Sequence, residues 1–87
     1  ERIGLVNRVV PHNMLENEVR ALASKLAEKP PIAIMMSKAA IHLGGEAPLD
    51  SGLALERALF SILFSTEDLI EGVSAFLQKR KPEFKGK

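Results

Sequence analysis

Apolar positions along most of the chain recur at spacings of three and four, the pattern of helices that bury one stripe. Leu15, Val19, Leu22 and Leu26 form the first stripe. Asn13 stands before it as a cap, and Glu16 three residues later completes a box-like pattern. A helix over residues 13–28 is predicted, stopped by Pro30-Pro31. Pro31 suits the first turn of a second helix, where its missing N–H is no loss. Ile32, Met35, Ala39 and Leu43 share one face of that helix, while Ile34 and Ile41 lie elsewhere around it. Gly44-Gly45 ends it, and Pro48 opens a third helix to about Phe64. Leu49, Leu53, Phe60 and Phe64 lie on one side of the third helix, widened by Leu55, Leu59 and Ile62, with Asp50, Arg57 and Ser61 as a narrow polar stripe. Helices apolar on several sides are expected to be covered by neighbours.

Ser65-Thr66 followed by Glu67 and Asp68 suits the start of a fourth helix, because hydroxyls cap and carboxylates match the dipole. Leu69, Val73, Phe76 and Leu77 are its inward positions, and it is expected to reach about Arg80 with a cationic last turn before Pro82. The N-terminus differs. Residues 5–10 are short and β-branched and predict a strand ended by Pro11. Glu1-Arg2-Ile3-Gly4 resembles the last turn of a helix closed by Gly4. A lone strand lacks a ladder partner, so both features point to structure upstream of residue 1. The fold class is therefore mainly α: a short N-terminal strand followed by about four helices.

The 87 residues are 46% apolar and 26% charged, an ordinary globular balance that excludes a wholly disordered chain. No apolar run is long enough for a membrane span. The chain has no cysteine, which excludes disulfides, thiol catalysis and Cys-ligated zinc and fits a reducing compartment. Net charge is +1, yet residues 79–87 carry +4 and the rest −3. The basic tail is a candidate for contact with phosphate or an acidic partner. Nucleic acid is not the expected partner, because the body is acidic and no aromatics interleave with the cations.

Nucleophile-elbow, phosphate-loop and zinc-helix patterns are absent. His12 and His42 stand apart from any ligand set. Glu67, Asp68 and Glu71 are expected to face solvent and serve helix electrostatics, whereas Glu56 on its apolar helix calls for a structural partner. The most suggestive constellation is Phe76, Lys79 and Arg80, placed on one face by offsets of three and four. A ring beside an ammonium and a guanidinium suits a flat base joined to phosphate; the competing view makes Phe76 core and the cations a match to the helix C-terminus.

Several segments together resemble the C-terminal region of the crotonase family of enoyl-CoA hydratases and isomerases. They are Gly4-Leu5-Val6 leading to Val10-Pro11, then Pro31 and Lys38, then Gly52-Leu53 with Glu56 and Phe60. The strongest run is Thr66-Glu67-Asp68, Glu71-Gly72, Ala75-Phe76, Lys79-Arg80-Lys81-Pro82 and Phe84-Lys85-Gly86. The resemblance implies that residues 1–10 are a remnant of a core of stacked strands, and that residues 11–87 form a helical region for oligomerisation and CoA contact. It implies an acyl-CoA substrate, most naturally a 2-enoyl-CoA that is hydrated, no permanently bound cofactor, and assembly as a trimer or dimer of trimers. The family's two glutamates and its two oxyanion-binding N–H groups match nothing here, so no catalytic residue is assigned. By position, Phe76 and Lys79 match residues that approach the adenine and ribose-phosphate end of CoA, with Arg80 a weaker candidate. A cytoplasmic enzyme, or one of the mitochondrial matrix in a eukaryote, is implied. The alternative, for the chain alone, is a noncatalytic helical module that covers its faces by self-association.

Overall fold

A computed structural model describes residues 1–87. Four α-helices follow a single 3-10 turn at His12–Met14: α1 (Leu15–Ala27), α2 (Pro31–Gly45), α3 (Leu49–Leu63) and α4 (Glu67–Gln78). Prolines set two of the starts. Pro31 occupies the first turn of α2, and Pro48 is the N-cap of α3. Thr66 caps α4 as expected: its Oγ1 accepts the Leu69 N–H at 3.2 Å and donates to the Leu63 carbonyl at 2.6 Å.

No strand forms. Residues 5–10 are irregular, with Leu5 84% exposed. Their composition favours a strand, but no second strand exists among the 87 residues to complete a ladder. The Val9 N–H instead donates to the Glu1 carboxylate at 3.2 Å, and Arg8 pairs with Glu18 on α1. Glu1 to Gly4 is a tight turn in which the Gly4 N–H reaches the Glu1 carbonyl at 3.0 Å. Gly4 takes φ +80°, the left-handed conformation expected of it.

The predicted Asn13 cap is also absent. Asn13 lies inside the 3-10 turn, Met14 is the N-cap of α1, and no side chain caps it. Glu16 faces the other way along the helix and binds Arg20 at 2.8 Å.

Helices α2 and α3 form an antiparallel hairpin and make the main helix–helix contact. Two glycines permit a close crossing: a Cβ added to Gly52 would lie 2.9 Å from the Gly44 carbonyl oxygen. Beyond this pairing neither helix is extensively covered, so the expected burial on several sides does not occur within the chain. Met35, Ile41, Leu53, Phe60 and Ile62 are all exposed. Only Ala75 and Asp68 are buried.

The chain is a slab of 43 × 39 × 19 Å with a radius of gyration of 16.2 Å. A compact domain of this length has about 12 Å. Its accessible surface is 7,445 Å², whereas a compact monomer of this mass exposes about 5,000 Å². The apolar stripes legible in the sequence are thus real helix faces that cover one another only in part: Ile32, Leu55, Leu59 and Leu69 are half-buried, and much of the rest meets solvent.

Candidate functional site

The Phe76–Lys79–Arg80 cluster sits where α4 gives way to the tail. The helix stops at Gln78, two residues short of the expected end, and carries no basic residue in its last turn. Lys79 adopts φ 53° and ψ 41°, the sole positive φ on a non-glycine residue. The Lys79 N–H donates to the Phe76 carbonyl at 3.3 Å, and the Arg80 N–H to the Ala75 carbonyl at 3.0 Å. This pair of bonds is the Schellman closure, which ordinarily favours glycine at the left-handed position. The three side chains therefore do not share one helical face as their spacing predicts.

Each member meets a different environment. Phe76 is 83% exposed, which removes it from any core within this chain. It borders an open groove of about 330 Å³, lined also by Ile32, Leu69, Val73, Leu77 and Phe84. Lys79 is exposed and absent from every ion pair in the chain. Arg80 is fully engaged. Its Nη1 and Nη2 donate to the two oxygens of Glu71 at 2.6 and 3.0 Å, and its Nε donates to Gln78 at 2.8 Å. A guanidinium forked onto a carboxylate is no longer a free phosphate ligand.

The carboxylates at the start of α4 also depart from expectation. Glu67 is exposed, but Asp68 is only 4% exposed. Its two oxygens accept the N–H groups of Lys85 and Gly86 at 2.7 and 2.8 Å, while its own N–H donates to the Lys87 carbonyl at 3.0 Å. Glu71 accepts the Glu83 N–H at 2.9 Å in addition to the Arg80 fork. Bonding from Arg80, then from the Glu83 N–H, holds the Glu71 carboxyl at about 2, below its ordinary 4.5. Glu71 in turn raises the pKa of Arg80. These two acids dock the tail along α4. The Phe84 ring lies over Gly72, where an added Cβ would touch it at 3.4 Å.

Glu56 has neither the arginine nor the backbone partner expected of it and faces solvent. His12 and His42 are exposed and apart, and no three His, Asp or Glu side chains gather as a metal site. No helix is long and apolar enough to cross a membrane.

A sequence profile described as Enoyl-CoA hydratase/isomerase matches residues 1–87. The chain belongs to this family, the crotonases. It is 46% identical over 87 residues to the 2,3-dehydroadipyl-CoA hydratase of Escherichia coli strain K12, covering all of this chain and 34% of that protein. The crystal structure of an enoyl-CoA hydratase from Bacillus anthracis matches with a TM-score of 0.94 at 38% identity, over 99% of this chain and 33% of its own. A second hydratase structure, from Geobacillus kaustophilus HTA426, gives 0.93 at 47% identity over 100% and 34%. The four helices thus have the arrangement of a helical region of the crotonase fold. The chain spans about a third of the length of the relatives it matches.

Proposed function

We propose that these residues are the C-terminal helical region of an enzyme acting on acyl-CoA thioesters, with hydration of a 2-enoyl-CoA as its reaction. Residues 1–10 belong to the strand-rich core, and residues 11–87 supply subunit assembly and CoA contacts. The chemistry at the double bond is carried out by groups outside these residues. CoA arrives as part of the substrate, with no resident cofactor.

Within this chain, Phe76 and Lys79 contact the nucleotide end of CoA. The observation that carries this role is the unpaired, exposed Lys79 ammonium at a left-handed turn whose backbone N–H bonds the carbonyl of the exposed Phe76. A left-handed non-glycine residue costs about 1 kcal/mol or more, and such positions cluster at ligand clamps. The ammonium is a point charge for phosphate, and the ring offers a flat face to adenine.

The test compares a CoA ester with the same ester truncated at pantetheine, in the intact enzyme. Lys79→Ala should raise KM for the CoA ester about tenfold, the worth of one charge-assisted hydrogen bond. It should leave the truncated ester unaffected. Equal losses on both would sink the phosphate role.

A second reading applies to the isolated chain, which presents about 2,400 Å² more surface than a compact monomer of its mass. Alone, it is a noncatalytic helical module that covers its apolar faces by self-association. In the intact enzyme the same faces pack against the core and neighbouring subunits in a trimer or dimer of trimers. Sedimentation of the 87-residue chain from micromolar to millimolar concentration tests this; a single monomeric species throughout would refute it.

A further inference from the structure

Three consecutive cations leave α4, and the structure treats each differently. Lys81 reaches Glu28 at 3.5 Å across an exposed gap. Arg80 is forked onto Glu71 and braced by Gln78. Lys79 is in no ion pair. The Glu71–Arg80 link spans nine residues and closes a loop whose left-handed turn is at Lys79. The Glu83 N–H on the same Glu71 carboxylate ties down the chain that follows that loop.

Resting on the CoA role proposed above, we infer that Glu71 is a positioning residue that selects Lys79 as the phosphate ligand. It does so in two ways. The fork holds residue 80 back along the helix, which secures the turn at Lys79 against the preference of lysine for negative φ. It also neutralises Arg80, so that one cation rather than two competes for the phosphate. Arg80 is thereby a clasp, and Glu71 acts on CoA only through Lys79.

The experiment is a double-mutant cycle in the intact enzyme with the CoA ester and its pantetheine-truncated counterpart. Glu71→Gln should raise KM for the CoA ester about threefold to tenfold, keep kcat within about twofold, and leave the truncated ester unchanged. In a Lys79→Ala background, Glu71→Gln should raise KM no further. Arg80→Lys keeps a cation against Glu71 but loses the fork; it should reproduce the effect in a variant of smaller charge change and stands in if Glu71→Gln fails to fold. A further rise in KM from Glu71→Gln on top of Lys79→Ala would overturn positioning through Lys79. So would equal losses on the two esters. An inert Lys79→Ala would instead remove the CoA role itself, and the selection by Glu71 with it.

Discussion

The crossing of α2 and α3 offers two glycines that should respond oppositely to the same substitution. A Cβ on Gly52 would lie 2.9 Å from the Gly44 carbonyl oxygen and 3.5 Å from its Cα. Both are backbone atoms of a helix and cannot rotate aside, so the hairpin must open by several tenths of an ångström. Overpacking of this kind costs about 1–3 kcal/mol. Replacing a helical glycine with alanine returns about 1 kcal/mol of propensity. Gly52→Ala should therefore destabilise by about 1 kcal/mol. A Cβ on Gly44 meets only Gly52 Cα at 3.7 Å and its carbonyl oxygen at 3.8 Å, ordinary contact distances. Gly44 lies in the last turn of α2, where part of the propensity gain is lost, so Gly44→Ala should stabilise by about 0.5 kcal/mol. Thermal unfolding of the protein would read the two as Tm changes of opposite sign, a few degrees apart. If Gly52→Ala raises Tm as much as Gly44→Ala does, the backbones do not approach this closely and the steric account is wrong.

Two further outcomes test the docked tail. Asp68→Asn puts an amide NH2 where a carboxylate oxygen accepts a tail N–H; at about 2 kcal/mol for one bond to a charged acceptor, Lys85 and Gly86 amides should exchange about thirtyfold faster. Unchanged exchange would show that Asp68 does not hold the tail. The Glu71 carboxyl should titrate near 2 rather than 4.5 in a carboxyl-resolved NMR titration. Because its folded pKa lies below the unfolded one, the clasp contributes stability fully above about pH 4.5 and loses it as pH falls toward 2. A midpoint between 4 and 5 would mean that the fork stands open in solution.

What the sequence discloses divides along local and non-local lines. The starts of α2, α3 and α4 were legible because Pro31, Pro48 and Thr66 act on the turn next to them. The strand over residues 5–10 was not, because β structure depends on a partner that local composition does not supply. Asn13 and Glu16 have cap spacing, but the turn after Pro11 already binds the Met14 N–H at 2.9 Å, and Arg20 takes Glu16. The helix α4 stops at Gln78, short of its cations, for the same kind of reason. Lys79 and Arg80 look like a favourable cationic last turn, yet Arg80 is recruited by Glu71 from nine residues away. Asp68 looks like a dipole match, while the N–H groups that bury its carboxylate come from 17 and 18 residues downstream.

The remaining ambiguity in the sequence concerned Phe76, which shares its stripe with Leu69 and Val73 and fits core or ligand contact equally well by periodicity. Exposure within this chain excludes the first for these 87 residues and leaves two kinds of cover for the ring, other protein or ligand. Lys79 is the residue on which the proposed CoA contact separates the two. Burying an ammonium without a partner is costly, so protein cover over this end of α4 would have to leave Lys79 in water or bring an acid to it. The proposed ligand, flat at one end and anionic at the other, would satisfy both residues at once. The left-handed turn strengthens the point, because glycine at position 79 would close the helix with less strain but could supply no charge. Stability is yielded at the one non-glycine residue where the chain turns left-handed, and what the position holds in exchange is a cation facing open solvent.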